Sequence, residues 1–517
     1  MATVVPVPLR SRPSLPAARD RPVVHIVFPR QEGRTDGARG RYNGVTAFPM
    51  RSLPIFVLGA LARREGWDVV CVNENVDPLP SERPDLAMIS VWTCLAPSAY
   101  LLADQYRAAG VPVVLGGIHP SMLPGEGLRH ADAVVVGEAE AVMPELLADA
   151  VAGRLQPIYQ GAWGDMSLVP RTDEFADLYT QGALRRSPVH GLQTSRGCKF
   201  NCGFCSVIRL NGRKMRHLDA ERVVDELRLI ATLPPRLPFP TPVYFHDDDL
   251  FSDRDFTALM LEEIIRSGLD LKLSWPTSIG MARDPELLDL AQRAGCVAVF
   301  IGLESVSRSS LLQANKKNRP REYEELVGNF HRHGIGVSAS LIFGFDEDEA
   351  DVAEQTVEFL DAAGVDSAKF FALTPLPGTE TFAQLYRDGR IVDFDWGKYD
   401  VLHAVIEPMR MTTAELQDAV WRAHALYYGK RRLARRVRRM VRTLPWSGVA
   451  SFGVSGLTYA GKIAENRTSP VYEPDPADLV ELLATSTAPA NEAMTTAVAQ
   501  AGERGTRQPV RLSARPT

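Results

Sequence analysis

The chain has 517 residues, of which 45% are hydrophobic and 23% are charged, and its formal net charge is −5. This composition is typical of a globular protein of two to four domains and excludes a wholly disordered chain, a collagen and a coiled coil. The mild charge predicts no nucleic-acid partner, and no apolar run reaches the ~18 residues that a membrane span needs.

The N-terminal part of the sequence changes character at about residue 21. Residues 1–20 contain four prolines and no continuous apolar segment, which predicts a disordered tail, no signal peptide and a cytoplasmic location. From 21 to 155, short β-branched runs such as VVHIVF alternate with helical stretches such as 54–64. Alternation of this kind predicts a parallel sheet in a doubly wound, Rossmann- or flavodoxin-like α/β domain.

A second α/β series follows a linker rich in Gly, Pro and Asp at 156–187. Six strand–helix repeats over 188–386 predict a partial (βα)6 TIM barrel, whose active site would lie at the C-terminal ends of the strands. The alternation then stops, and 387–470 is expected to form a mainly helical C-terminal extension. Residues 471–517 are rich in Ala, Thr and Pro, which predicts a disordered tail.

Three cysteines cluster in the segment TSRGCKFNCGFCS, with the spacing C-x3-C-x2-C: Cys198, Cys202 and Cys205. Thiolates are soft ligands that suit zinc or iron–sulfur clusters. Structural zinc takes four ligands, often as two pairs, and no second pair lies nearby. Three thiolates on a four-iron cluster would leave one iron open to a substrate. A chance cluster, or a zinc site that lacks one ligand, is the alternative.

The motif C-x3-C-x-aromatic-C, with Phe204 as the aromatic residue, directly follows the first strand of the predicted barrel. The segment from about 188 to 386 resembles the radical S-adenosylmethionine (SAM) superfamily. The resemblance implies that the three cysteines hold a [4Fe-4S] cluster, that SAM chelates the fourth iron, and that one-electron reduction yields a 5′-deoxyadenosyl radical. It also implies an electron donor such as flavodoxin or ferredoxin.

The same resemblance suggests where SAM binds, although the usual Gly-Gly-Glu is replaced by FHDDDLF. It assigns five residues: Asp247 and Asp248 to the SAM ammonium group, Glu304 to its ribose, and Ser340 and Gly344 to its adenine. Each acidic residue could instead lie in a turn or cap a helix. We prefer that interpretation for Asp249 and Asp253.

The segment from ISVWT to VVVGEAE in the first domain resembles the cobalamin-binding domain of B12-binding radical SAM proteins. Small residues at its strand ends would let a large planar ring approach the backbone. Eight residues would line the cobalamin or the domain interface: Ser90, Trp92, Gly116, Gly117, His119, Gly137, Glu138 and Glu140. No D-x-H-x-x-G is present, so no histidine is assigned to cobalt, and a scaffold without cofactor is the alternative.

The segment 430–442, KRRLARRVRRMVR, predicts a basic helix with a narrow apolar stripe formed by Leu433, Val437 and Val441. Such a helix could contact a membrane surface peripherally. It could also be a solvated helix that packs on the barrel, which is the interpretation we favour.

These observations predict a cobalamin-dependent radical SAM methyltransferase that methylates an unactivated carbon of a small-molecule or lipid-like metabolite. A radical SAM cyclase or rearrangement enzyme without methyl transfer is a second hypothesis. A cofactor-binding sensor with an inactive barrel is a third, and the intact cysteine triad and Glu304 argue against it. A methylthiotransferase is disfavoured because it would need three N-terminal cysteines. No catalytic residue can be assigned from the sequence.

Overall fold

The computed structural model describes residues 20–30, 53–180, 189–233, 241–446, 448, 449, 452, 472, 474–489 and 492–503. The tail predicted at 1–20 lies outside these ranges apart from its last residue. The described strands are β1 Val23–Phe28, β2 Asp68–Asn73, β3 Leu86–Ser90, β4 Val113–Gly116, β5 Ala133–Val136, β6 Ile158–Gln160, β7 His190–Leu192, β8 Ser195–Arg196, β9 Arg216–His217, β10 Thr241–Phe245, β11 Leu271–Thr277, β12 Cys296–Glu304, β13 Gly336–Phe343 and β14 Ser367–Ala372.

The α-helices of the described ranges alternate with these strands and continue after them. They are α1 Leu53–Arg64, α2 Ala96–Ala108, α3 Ile118–Met122, α4 Pro124–His130, α5 Met143–Val151, α6 Ala176–Tyr179, α7 Val207–Asn211, α8 Ala220–Ile230, α9 Arg254–Ser267, α10 Pro285–Arg293, α11 Arg308–Gln313, α12 Tyr323–Arg332, α13 Val352–Ala363, α14 Glu380–Arg387, α15 Thr413–Tyr427, α16 Lys430–Thr443, α17 Pro476–Thr487 and α18 Ala493–Glu503. Within the described ranges, no helix has both the length and the hydropathy that crossing a lipid bilayer requires.

The first domain is built on a six-stranded sheet in the order β2-β1-β3-β4-β5-β6, with every pair parallel. All residues of β1 and β3 are buried, as expected for strands that are covered by helices on both faces. The order reverses between β1 and β3, which is the switch point of a doubly wound fold. The predicted fold class is confirmed. The sheet also extends into the predicted linker, because β6 lies within 156–187.

The second domain contains six parallel strands in the order β14-β13-β12-β11-β10-β7. The strands follow one another along the chain, so each connection packs a helix on the same outer side, and β7 and β14 stay at opposite edges. This arrangement is the predicted partial barrel. The short hairpin β8–β9 stands apart from the sheet and carries the start of the cysteine motif.

The C-terminal part contradicts one prediction. Residues 471–517 were expected to be disordered, but α17 and α18 form a helical hairpin in this region. Leu482 and Ala497 are fully buried, and α18 contacts α3 and α4 of the first domain while α17 contacts α14 of the second. The segment is rich in Ala and Thr and has few large apolar residues, so its composition did not predict helices. The two helices become stable only when both domains cover their apolar residues.

One continuous apolar cluster joins the two domains and this hairpin. It includes Ile89 from the first sheet, Trp275 from the second, Trp396 from the extension and Leu482 from α17. A second cluster fills the opposite face of the first sheet. The shared core fixes the C-terminal edges of the two sheets against each other, which is where the functional residues lie.

The basic helix α16 packs on the barrel. Arg436 is 2% exposed, stacks 3.6 Å from the centroid of the Tyr427 ring and pairs with Asp361 on α13. Met440 is also buried, whereas Val441 of the expected stripe is 55% exposed. The structure supports the interpretation as a helix packed on the barrel, and a membrane contact through 430–442 remains a prediction.

Candidate functional site

The cysteine loop begins at a sharp turn after β8. Gly197 has φ +102°, and a Cβ at this position would lie 2.4 Å from the backbone oxygen of Lys214, so only glycine fits. The Cys198 amide donates to the Gly212 oxygen at 3.3 Å, and the Cys205 amide donates to the Cys202 oxygen at 3.1 Å. The loop therefore presents three thiols from one short segment at the C-terminal end of β7.

The environment of the three thiols fits an iron–sulfur cluster. Burial raises the pKa of Cys198, Cys202 and Cys205, that of Cys205 to about 12, so each thiolate needs a cation such as iron to stabilise it. Among the described residues, no three His, Cys, Asp or Glu side chains converge closely enough to hold a single metal ion. A cluster needs no such convergence because each cysteine binds a different iron. The donor set favours the cluster over zinc.

Asp247 and Asp248 hold the cysteine loop. The Asp247 carboxylate accepts hydrogen bonds from the Thr194 hydroxyl at 2.8 Å and from the Thr194 amide at 3.1 Å. The Asp248 carboxylate accepts one from the Gly197 amide at 2.8 Å and one from the Asn211 amide group at 3.0 Å. Burial raises the pKa of Asp247 to about 6. Both carboxylates are thus engaged within the protein, and the ammonium contact predicted from the resemblance remains a prediction.

The acidic residues assigned to helix capping behave as expected. The Asp249 carboxylate accepts from the Phe251 amide at 3.2 Å and from the Ser278 amide at 2.8 Å. Asp253 caps α9 through the Phe256 amide at 3.1 Å.

Glu304 ends β12 in a strained conformation. It has φ +64°, which is unusual for a residue other than glycine and is typical of functional sites. Its carboxylate accepts from Lys316 Nζ at 3.0 Å and from Ser340 Oγ at 3.2 Å, and it is almost fully buried. The side chain folds back over Gly302, where a Cβ would lie 2.1 Å from Glu304 Oε1. The structure therefore holds one carboxylate in a defined position beside Ser340.

Lys316 places a positive charge beside the Glu304 carboxylate. Burial acts to lower its pKa, but the negative charges of Glu304 and Cys202 outweigh burial and raise it. Lys316 is therefore a cation between the predicted ribose carboxylate and Cys202, a predicted cluster ligand. Nothing in its local sequence, QANKKNRP, distinguished it from a surface lysine.

The remaining predicted residues of the barrel lie close by. Phe204 is half-buried and packs against the apolar core. Gly344 has φ +106°, donates its amide to Asp348 at 3.0 Å and lies against Leu416 of α15. The conformation of Gly344 explains why glycine is needed there, and its contact with adenine remains a prediction.

Small residues line the C-terminal edge of the first sheet at the ends of β3 and β4. Ser90 pairs in register with Gly116, and the nearest atom to a Cβ on Gly116 would be 3.7 Å away. Gly117 has φ +100° and passes so close to Val91 that a Cβ would lie 2.8 Å from its oxygen. Trp92 beside them is 51% exposed. This edge fits a flat ring approaching the backbone.

Two other predicted residues of the first domain are covered by the C-terminal part of the chain. Gly137 lies beneath α18, since a Cβ there would be 3.1 Å from the Met494 sulfur. His119 is fully buried, with Nε2 3.1 Å from Glu126 Oε1 and its ring 5.5 Å from that of Trp396. Both residues therefore lie at the domain interface.

Glu138 and Glu140 connect the first domain to the cysteine loop. Glu138 accepts two hydrogen bonds from Arg216, at 2.5 and 2.8 Å, and lies 3.2 Å from Arg196. Glu140 pairs with Arg196 at 2.6 Å. Burial acts to raise the pKa of Glu138, but Arg216 and Arg196 lower it below its usual value. Arg196 and Arg216 face each other on β8 and β9, so these carboxylates hold the hairpin that leads into Cys198.

The comparisons with known proteins agree with this geometry. The family model of the radical SAM superfamily matches residues 192–360, and that of the B12 binding domain matches residues 42–147. Bacteriochlorophyllide d C-12(1)-methyltransferase of Chlorobaculum tepidum is 30% identical over 383 residues, covering 73% of this chain and 81% of that protein. Anaerobic magnesium-protoporphyrin IX monomethyl ester cyclase of Cereibacter sphaeroides is 26% identical over 402 residues, covering 71% and 63%.

Among solved structures, the radical S-adenosylmethionine methyltransferase TsrM from Kitasatospora setae, with cobalamin and a [4Fe-4S] cluster bound, has a TM-score of 0.55 and 15% identity. The alignment covers 94% of this chain and 100% of that chain. The chain therefore belongs to the radical SAM superfamily, among the members that carry a B12 binding domain. It is a radical SAM enzyme, and the predicted family and its cofactor set of iron–sulfur cluster, SAM and cobalamin are confirmed.

Proposed function

We propose that the protein transfers a methyl group to an unactivated carbon of a small organic substrate, using SAM and cobalamin. The observation that carries this proposal is the contact between the domains at the cysteine loop. Glu138 of the B12-binding domain pairs with Arg196 and Arg216, one on each strand of the β8–β9 hairpin, and the cysteine loop lies between these two strands. This contact brings the end of β5 in the first domain next to the cysteine loop of the second, so that a substrate radical could form close to a methyl donor.

The chain's own residues would hold and orient the reacting groups. Cys198, Cys202 and Cys205 would each bind one iron, and Glu304 would accept hydrogen bonds from the SAM ribose while Lys316 holds that carboxylate in place at 3.0 Å. When bound, the cluster supplies the electron that cleaves SAM, and cobalamin supplies the methyl group. A reductant such as flavodoxin or ferredoxin would deliver the electron.

The proposal is tested with anaerobically reconstituted protein, methyl-labelled SAM, cobalamin and a low-potential reductant. We expect both 5′-deoxyadenosine and S-adenosylhomocysteine, the second only when cobalamin is present. The Cys202→Ala variant should lose iron and form no deoxyadenosine. Cys296→Ala is the matched control because Cys296 is also buried but lies in β12 outside the motif. Absence of both products from protein with a full cluster would refute the proposal.

A second candidate is an oxidative cyclisation or rearrangement without methyl transfer. The similarity to the cyclase of Cereibacter sphaeroides, over 71% of this chain, supports it. The same incubation separates the two candidates, because this reaction would give deoxyadenosine but no S-adenosylhomocysteine from cobalamin-loaded protein.

A further inference from the structure

Lys369 points into the barrel. Side chains alternate across a strand, and the next residue of β14, Phe370, faces outward, with its ring 5.1 Å from His424 and 5.6 Å from Tyr427 of α15. Lys369 therefore lies on the concave face of the sheet. Its Nζ is 4.8 Å from the centroid of the Phe300 ring on β12, two strands away, so the side chain crosses in front of β13.

Among the described residues, no negatively charged side chain pairs with Lys369. The inward-facing residues next to it on β12 and β13 are Phe300, Ser338 and Ser340, and Lys369 itself pairs in register with Ser340. Within the described part of the chain, its ammonium makes no hydrogen bond or ion pair. Glu304, the nearest carboxylate on these strands, is already bound to Lys316 at 3.0 Å.

A cation inside a protein without a counter-charge is costly to maintain. Burial lowers the pKa of Lys369 to about 8. The contact between its ammonium group and one aromatic ring offsets only part of the cost of removing the charge from water. By contrast, Lys316 is buried in the same barrel but has Glu304 as its partner. Lys369 is half-buried and not fully enclosed. This combination is expected of a residue whose counter-charge arrives with a ligand.

The barrel is closed below Lys369, at the N-terminal ends of the strands. A small apolar cluster packs there against the inward-facing Ala298, and a Cβ on Gly336 would lie 2.2 Å from the Phe452 ring. The cluster is formed by Met440, Leu444, Val449 and Phe452. A ligand of Lys369 would therefore enter from the C-terminal mouth of the barrel, where the residues predicted for SAM lie.

We propose that Lys369 binds an anionic group, a carboxylate or phosphate, of the substrate. This inference rests on the proposed function, since it places the substrate in the same barrel. Phe300, beneath the Lys369 ammonium, is two residues before Gly302 on β12, over which the Glu304 carboxylate folds, or about 7 Å at ~3.3 Å per residue. The substrate is therefore a small organic acid or phosphate whose anionic end lies deep in the barrel and whose reacting carbon lies near the mouth.

The first experiment uses unmodified holoenzyme and needs no identified substrate. Lysines are acylated with an uncharged N-hydroxysuccinimide ester, and peptides are quantified by mass spectrometry with chloride, acetate or inorganic phosphate at constant ionic strength. Acetate or phosphate should slow acylation of Lys369, about twofold at a concentration equal to its dissociation constant. Lys272 on β11, which pairs with Asp270, should be unaffected. Equal acylation of Lys369 in all three salts would overturn the proposal.

The second experiment separates the substrate from SAM as the source of the anion, since SAM also carries a carboxylate. Lys369→Met and Lys369→Arg holoenzymes are compared with Lys272→Met for SAM affinity. We expect the SAM affinity of both Lys369 variants to stay within about twofold of wild type. A tenfold loss of SAM affinity in Lys369→Met that Lys369→Arg restores would overturn the substrate assignment, because Lys369 would then bind SAM. If wild type forms no deoxyadenosine, the proposed function fails, and acylation still tests the anion site.

Discussion

Replacing Glu138 by Gln tests whether the domain contact supports the cysteine loop. The change keeps the shape of the side chain but removes the charge that holds Arg216 through two hydrogen bonds and Arg196 at 3.2 Å. All three side chains are nearly buried, with exposures of 7%, 13% and 12%. Removing one partner of a buried ion pair typically costs about 3 kcal/mol. We therefore expect a drop in melting temperature of roughly 6–12 °C for a cooperative unit of about 150–250 residues.

The assay is anaerobic thermal unfolding of the reconstituted protein, with iron release to a chelator as a second measurement. Arg196 precedes Cys198 by two positions, so Glu138→Gln should also release iron faster than wild type. The control is Glu145→Gln, an exposed residue on α5, which should change stability by no more than about 0.5 kcal/mol. If Glu138→Gln melts and retains iron like wild type, the contact does not support the loop.

Three further results are expected. The folded state lowers the pKa of Glu138, so the ionised side chain stabilises the fold above the ordinary glutamate pKa of about 4.3. This stabilisation is lost as the pH falls below that value. Wild type and Glu138→Gln should therefore converge in melting temperature in acid. Gly302→Ala should displace the Glu304 carboxylate and weaken SAM binding about tenfold by calorimetry, whereas Gly328→Ala within α12 should leave SAM binding unchanged. Arg129→Met should leave buried Asp478 without its guanidinium, cost about 3 kcal/mol and speed proteolysis of the C-terminal hairpin.

The cysteine motif and both α/β domains could be predicted because their signals are local. The spacing of Cys198, Cys202 and Cys205 lies within one short segment, and β-branched runs alternate with helices throughout both domains. The conformation of Glu304 was not predictable in the same way. Its positive φ arises from the packing of β12 against β13, where the register shifts next to it.

Other residues acquire their roles only from distant neighbours. Glu138 and Arg216 are 78 positions apart, and neither has a local feature that marks it as half of a buried ion pair. The hairpin at 476–503 looks like a disordered tail in composition, and it is ordered because two domains cover its few apolar residues. Such contacts depend on which surfaces meet in the folded protein, and this cannot be predicted from the composition of the chain.

The sequence by itself determined the two α/β domains, the cysteine motif and the class of chemistry, because short-range spacing and periodicity encode them. Only the tertiary structure decided that Asp247 and Asp248 hold the cysteine loop, that Lys316 pairs with Glu304, and that Lys369 lies on the concave face of the barrel with no negatively charged partner among the described residues. The charge of a side chain can be read from the sequence, but the partner that balances it is set by folding.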